Sequence, residues 1–254
     1  MTRILIHGAG RMARRVLANV PGFGSIELAG LVSRKRPDDM SESDWFVSLE
    51  DIKTPPDLLI DFTLPAGARI AAEWCARNGV ALVSGTTGLS DDEFGALEKA
   101  ARQVPVLWAP NLSHGVALLT SLVRQTASAL DVSANIMISD IHHQHKIDAP
   151  SGTALALAEA VMEGRSVPLE ELLESQRLEA HSEGDEGELA FSSVREGEVI
   201  GEHTVSFALA DEVIEITHKA LDRDVFAKGA LKAGQWLVGQ GPGYYSTNDW
   251  LGLN

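Results

Sequence analysis

The sequence predicts an α/β chain: a doubly wound parallel sheet interrupted by a second α+β domain with an open sheet. Three observations carry that expectation. Over the first 110 residues, short apolar runs alternate with amphipathic stretches of helical length. After Pro110 the alternation gives way to strand-like segments in succession, and a last amphipathic stretch with an aromatic tail closes the chain. Strand, helix, strand in regular order is the pattern of a parallel sheet with helices on both faces, and such crossovers are right-handed. No repeat at a fixed spacing competes with this reading.

The apolar runs Ile4–His7, Ile26–Val32, Leu58–Phe62, Val80–Val83 and Val104–Trp108 read as strands. Helical segments fall between them near Met12–Val20, Ala66–Arg77 and Asp91–Arg102. Val116–Leu130 reads as a helix and Asn135–Ile141 as a strand, followed by a His-rich loop. Ser151-Gly152-Thr153 then signals a helix start before Ala154–Val161. Residues 163–188 are acidic, with one exposed helix expected at Leu169–Arg177. Glu188–Val194, His203–Leu209 and Val213–His218 alternate as strands with one covered face do, and their short connections read as antiparallel. An open sheet of this kind is expected to pair with another subunit. Val225–Val238 is helical, with Phe226, Ala230, Ala233 and Leu237 near one face. The tail to Trp250 and Leu251 reads as docked on the first domain, so the domains are expected at 1–110 with 223–254, and at 111–222.

The single cysteine, Cys75, excludes an internal disulfide and leaves no Cys/His ladder for zinc. MTRILIHGAG lacks the regions of a signal peptide and no apolar stretch is long enough to span a bilayer, so a soluble cytosolic protein is expected. A net charge of −15 disfavours nucleic acid and anionic membranes as partners. The acidity is uneven: residues 1–36 hold seven Arg or Lys against one acid, whereas residues 159–188 hold two against ten.

After the first strand comes Gly8-Ala9-Gly10-Arg11-Met12-Ala13, a G-x-G-x-x-[GA] turn at the mouth of the first helix. The first Gly permits the tight turn, the second lets backbone N–H groups approach a pyrophosphate, and small Ala13 allows close helix–strand packing. The first domain is therefore expected to be Rossmann-like and to bind a dinucleotide. Where NAD enzymes place an acid on the ribose, this chain has Ser33-Arg34-Lys35-Arg36, so Arg34 is expected to grip a 2′-phosphate and NADPH is favoured over NADH. The Asp61-Phe62-Thr63 and Ser84-Gly85-Thr86-Thr87-Gly88 loops fall where strand ends meet a cofactor, although ordinary turns look the same.

His142-His143-Gln144-His145-Lys146 precedes the Ser151-Gly152-Thr153 helix start. A metal site there would need open geometry and a carboxylate or Cys complement, and Lys146 would repel a dication. A solvated polar turn is a second reading. The third is an anionic-substrate site, in which Lys146 and the helix N-terminus hold carboxylates and a His titrating near neutrality delivers a proton.

The run HHQHKIDAPSGTA, with SGTTG and APNLSHGV upstream and VREGEVIGEHTVSF and EITHKA downstream, resembles the 4-hydroxy-tetrahydrodipicolinate reductase (dihydrodipicolinate reductase) family over essentially the whole chain. The resemblance implies NAD(P)H-dependent reduction of a small dicarboxylate in lysine and diaminopimelate synthesis. It implies a Rossmann domain, an inserted substrate domain that builds a homotetramer, and a hinge. His142 matches the family's general acid and Lys146 its essential cation; His143, Lys146, Gly152 and Thr153 match its carboxylate-binding positions. Gly8, Gly10, Arg11, Met12, Arg34, Gly85, Thr87, Ala109 and Asn111 match its cofactor-lining positions. The glycine loop is one residue shorter than the family's and ends in Ala13; Asp140 stands for a more usual Glu, Leu112 for a Phe, and Gln144 at a position often basic. The alternatives are a Rossmann oxidoreductase acting on another imino or amino acid, and a nonenzymatic NADP(H)-binding sensor.

Overall fold

The computed structural model describes residues 1–38, 40–166 and 187–253. The helix expected at Leu169–Arg177 lies outside them. The chain divides into two compact units, Met1–His114 with Asp224–Asn254, and Gly115–Arg223.

The first unit holds β1 (Thr2–His7), β2 (Ile26–Val32), β3 (Trp45–Phe46), β4 (Leu58–Asp61), β5 (Ala81–Ser84), β6 (Pro105–Trp108) and β11 (Gly243–Tyr245). All seven are parallel, in the order β11-β6-β5-β4-β1-β2-β3. Side-chain alternation builds a core on each face. Ile4, Ile6, Leu58 and Ile60 point to one face, where α1 (Arg11–Asn19) and the helix at Asp224–Leu237 bring Ala13, Val16, Ala230 and Leu237. Leu5, Leu59 and Leu82 point to the other, against Trp74 and Cys75 of α2 (Pro65–Asn78) and Leu97 of α3 (Asp91–Ala101). Helix ends follow local chemistry. Pro65 opens α2 and Gly79, with φ of +69°, closes it. Ser90 and Glu93 form a capping box at the start of α3. Trp250 is buried in the first core.

The second unit contains most of α4 (His114–Ala129), then β7 (Asn135–His142), α5 (Gly152–Arg165), β8 (Leu189–Arg195), β9 (Gly201–Ala208) and β10 (Val213–Ala220). The helices Asp224–Leu237 and Thr247–Leu251 of the first unit are numbered α6 and α7. Leu119 and Val123 of α4 and Leu157 and Val161 of α5 cover Ile136, Ile138, Val205 and Phe207 on one face of a four-stranded sheet.

Its order, β10-β9-β7-β8, corrects one expectation. The consecutive strands β9 and β10 do pair antiparallel, but β8 and β9 lie on opposite sides of β7, and β8 runs parallel to β7. The short 196–200 connection therefore makes no hairpin. It passes the end of β7, where the Glu196 N–H donates to the His142 carbonyl at 2.8 Å and the Gln144 N–H to that of Gly197 at 3.1 Å. Among the described residues no helix is long and apolar enough to cross a membrane.

Candidate active site

In the first unit the strand order reverses at β1, and the carboxyl ends of β1 and β4 flank the crevice where open α/β sheets hold ligands. A cleft of about 770 Å³ opens there, lined by Gly8–Gly10, by Arg34 and Lys35, and by Phe62 and Thr63. Gly8 has φ of +107°, and a Cβ on it would lie 2.7 Å from the Phe62 carbonyl oxygen, so the turn requires glycine. Gly10 differs. Its φ of −72° suits any residue, and a Cβ there would meet no atom within 4 Å. The protein's own packing does not demand glycine at position 10, and the start of α1 is left open to close approach by a phosphate. No side chain caps that helix, and Ala13 is fully buried behind the turn. The cleft fits a dinucleotide.

Of the residues expected to line a cofactor, Gly8, Gly10 and Arg34 border this cleft. Arg11 opens α1 and is exposed, while Met12 rests against the core. Gly85, Thr87, Ala109 and Asn111 are not part of its lining. Gly85 seats the Phe62 ring, where any Cβ would collide. Thr87 is exposed, Ala109 is in the core, and Asn111 Oδ1 accepts the Ser113 N–H at 2.9 Å. A separate hollow of about 530 Å³ beside α2 and α3 is lined by charges that include Arg69, Glu73 and Arg77. Arg69 pairs with Glu73 at 3.0 Å and Arg77 with Glu50 at 2.5 Å.

In the second unit the register of β7 gathers a polar cluster at the end of the covered face. Asp140 lies opposite Ser193 of β8 and His203 of β9, and His142 opposite Arg195. Both Asp140 and His142 are buried, with His142 Nδ1 3.0 Å from Asp140 Oδ1. The same oxygen accepts from Arg195 at 2.8 Å; the other accepts from Ser193 Oγ at 2.6 Å and from the Ser151 N–H at 3.4 Å. Arg195 also donates to the Asp148 carbonyl at 2.6 Å, tying the 143–150 loop to β8. Lys146 Nζ chelates the Asp148 carboxylate at 2.8 and 2.7 Å. Ser151 caps α5 by accepting the Ala154 N–H, so Gly152 and Thr153 form its first turn. The His143 Nδ1 is buried with no hydrogen-bond partner among the described residues.

Burial, and then the Lys146 charge, hold the His142 imidazole below its ordinary pKa, against the opposing pull of Asp140. Burial would raise Asp140, but hydrogen bonds from Ser193 and Arg195 outweigh it and keep the carboxyl below its usual range. His203, whose ring lies 5.0 Å from that of His142, is pushed down to about 4, first by burial and then by His142.

A neutral buried His203 has a measurable consequence. The unfolded chain takes up its proton near 6.5 and the folded one only near 4, so stability falls as pH is lowered through that window. His203 alone removes on the order of 3 kcal/mol. Burial shifts His142 and His218 in the same direction. Urea denaturation at pH 7, 6, 5 and 4.5 should show a steadily falling midpoint; a constant one would rule the neutral His203 out.

Sequence reasoning singled out His142, His143, Lys146, Gly152 and Thr153, which share one segment. It assigned no role to Arg195, Ser193 or His203, which join them only through strand register. Among the described residues no group of three or more His, Cys, Asp or Glu is placed to hold a metal ion.

Comparison with known proteins agrees across the whole chain. Residues 2–112 match the family model described as "Dihydrodipicolinate reductase, N-terminus", and residues 115–251 match "Dihydrodipicolinate reductase, C-terminus". The 4-hydroxy-tetrahydrodipicolinate reductase of Alkalilimnicola ehrlichii is 40% identical, with 99% of each chain covered. That of Gluconacetobacter diazotrophicus is 42% identical over 96% of this chain and 94% of its own. Among solved structures, a dipicolinate-bound dihydrodipicolinate reductase from Paenisporosarcina sp. TG-14 superposes with a TM-score of 0.79 at 23% identity, covering 98% of both chains.

Proposed function

The chain belongs to the dihydrodipicolinate reductase family, and from that membership we propose how its residues divide the work. It is an NAD(P)H-dependent oxidoreductase of diaminopimelate and lysine biosynthesis that reduces 4-hydroxy-tetrahydrodipicolinate to tetrahydrodipicolinate, the 4-hydroxyl leaving as water while hydride and a proton add to the ring. The observation that supports the residue roles is the buried Asp140–His142 pair next to Lys146 and the start of α5. When bound, the cofactor supplies a hydride to an electron-poor carbon of the substrate ring.

The protein's share is binding, orientation and one proton. Lys146 and the N–H groups of Gly152 and Thr153, with His143, hold the two carboxylates of a small dicarboxylate, the ligand type carried by the Paenisporosarcina enzyme. Asp148 holds the Lys146 ammonium in the loop until a substrate carboxylate takes over part of its donor set. Asp140, itself locked by Arg195 and Ser193, receives Nδ1–H and so presents Nε2–H of the protonated His142 as general acid.

The first unit holds the cofactor, with Gly8, Gly10, Arg11 and Met12 at the pyrophosphate. Arg34 takes the 2′-phosphate of NADPH, and Gly85, Thr87, Ala109 and Asn111, outside the lining of the cleft itself, line the cofactor beyond it. Arg34→Asp is expected to raise the KM for NADPH by roughly 10- to 100-fold, the weight of a charge-assisted contact, with far less effect on NADH. Equal changes in the two Michaelis constants would remove Arg34 from this role.

The enzyme acts in the cytosol as a homotetramer. The uncovered face of the second sheet supports this: it presents Met137, Val194 and Val213 beside the Thr204–Thr217 and Ser206–Glu215 hydrogen bonds. The deciding assay supplies NADPH and the condensation product of pyruvate and aspartate semialdehyde. Nucleotide oxidation that depends on both supports the reading; tight NADPH binding without turnover would leave a sensor.

A further inference from the structure

The chemistry above makes no use of Asp61, a carboxylate buried completely at the end of β4. Parallel register sets it in one row with His7 of β1 and Ser84 of β5. Both of its oxygens are fully engaged. Oδ1 accepts from Thr63 Oγ1 at 2.7 Å and lies 3.1 Å from His7 Nδ1, at ion-pair distance but outside hydrogen-bond alignment. Oδ2 accepts from Ser84 Oγ at 2.9 Å and from Thr86 Oγ1 at 2.7 Å.

The contacts run on from there. Thr86 Oγ1, its own proton directed at Asp61, accepts the Thr63 N–H at 3.1 Å. The Thr86 carbonyl accepts from Trp108 Nε1, on β6, at 2.8 Å. One carboxylate thereby joins the ends of four neighbouring strands, β1, β4, β5 and β6. The segment it holds passes directly over the glycine turn, with the Phe62 carbonyl oxygen 2.7 Å from where a Gly8 Cβ would stand. His7, Phe62 and Thr63 all line the cleft.

A negative charge at the mouth of a site for an anionic ligand has the wrong sign for binding, and its burial is costly unless hydrogen bonds satisfy it. Its use is geometric: an ionised carboxylate accepts from all three hydroxyls at once, which a neutral amide with a single acceptor oxygen does not.

We propose that Asp61 is the positioning residue of the nucleotide cleft. Through Thr63 and Thr86 it sets the height of the Phe62–Leu64 segment above the glycine turn. The inference rests on the assignment of this cleft to NAD(P)H.

The test is a fluorescence titration of NADPH into the full-length parent protein, Asp61→Asn, Thr86→Val and Thr86→Ser, with the KM for the dicarboxylate substrate measured alongside. Asp61→Asn and Thr86→Val should raise the NADPH Kd about tenfold while the substrate KM moves by no more than about twofold, and Thr86→Ser should restore the parent Kd. A carboxylate that serves only stability would lower the thermal midpoint without splitting the two ligands. An NADPH Kd within about twofold of the parent in Thr86→Val and in folded Asp61→Asn overturns the proposal, as does equal weakening of both ligands. If Asp61→Asn fails to fold, the Thr86→Val and Thr86→Ser pair decides. A parent that binds neither NADPH nor NADH overturns the cleft assignment instead.

Discussion

Replacing His142 with glutamine lowers turnover by about 10²–10⁴-fold, the usual weight of a positioned general acid, while NADPH affinity stays near that of the parent. Glutamine fills much of the imidazole's space and can still donate to Asp140 Oδ1, but it has no proton to give at the substrate. The pH profile supplies a second readout. In the proposed role only protonated His142 acts as the acid, so parent turnover is expected to fall as pH rises through the His142 pKa. Burial and Lys146 place that pKa below the ordinary 6.5. The variant lacks this limb. A His142→Gln enzyme with parental turnover, or with the same pH limb, would contradict the assignment.

Lys146→Ala is expected to damage both constants, because in the proposed role one cation holds a carboxylate in the ground state and stabilises charge in the transition state. Loss of a charge-assisted contact raises the substrate KM about tenfold or more. Loss of a preorganised cationic donor lowers kcat by about 10²-fold or more. The structure adds a distinguishing detail. Lys146 is chelated by Asp148, so its removal also leaves an uncompensated carboxylate facing a dianionic substrate. Lys146→Ala combined with Asp148→Asn should therefore recover part of the KM and little of the kcat. Full recovery of both would mean that Lys146 serves only to neutralise Asp148. NADPH affinity should be unchanged in either variant.

The legible parts of the sequence were those whose signal is local. The expected strand Ile26–Val32 has the observed limits, and the start of α5 is marked by Ser151, which caps its own helix. β3 and β11 escaped because two or three residues carry no periodicity, and their strand character comes from the neighbours Leu31 and Val106. The pairing of β7 with β8 was invisible for a related reason. A short connection suggests a hairpin, and nothing within residues 196–200 says that the chain will pass the end of another strand.

The site divides in the same way. His142, His143, Lys146, Gly152 and Thr153 lie within twelve consecutive residues, so their chemistry was readable together. Arg195 and His203, more than fifty residues beyond His142, reach it only through the register of three strands. Asp61 was visible as an acid ending an apolar run, but its burial and its four partners belong to the folded sheet. The depressed titration of His142 was equally unreadable, because it arises from burial that no spacing encodes.

The discontinuity of the first unit has a bearing on how the protein is made. Residues 115–223 form a continuous stretch and can begin to assemble as they leave the ribosome. The dinucleotide unit cannot finish. Its sheet keeps an open edge along β6 until Gly243–Tyr245 arrives, and one of its two cores lacks Ala227, Ala230, Leu231, Ala233 and Leu237 until α6 is translated. The glycine turn thus waits for a segment more than 200 residues downstream before it gains a rigid floor. For that interval the nascent chain carries an apolar sheet face in water, the period in which it is most exposed to aggregation and most dependent on chaperones.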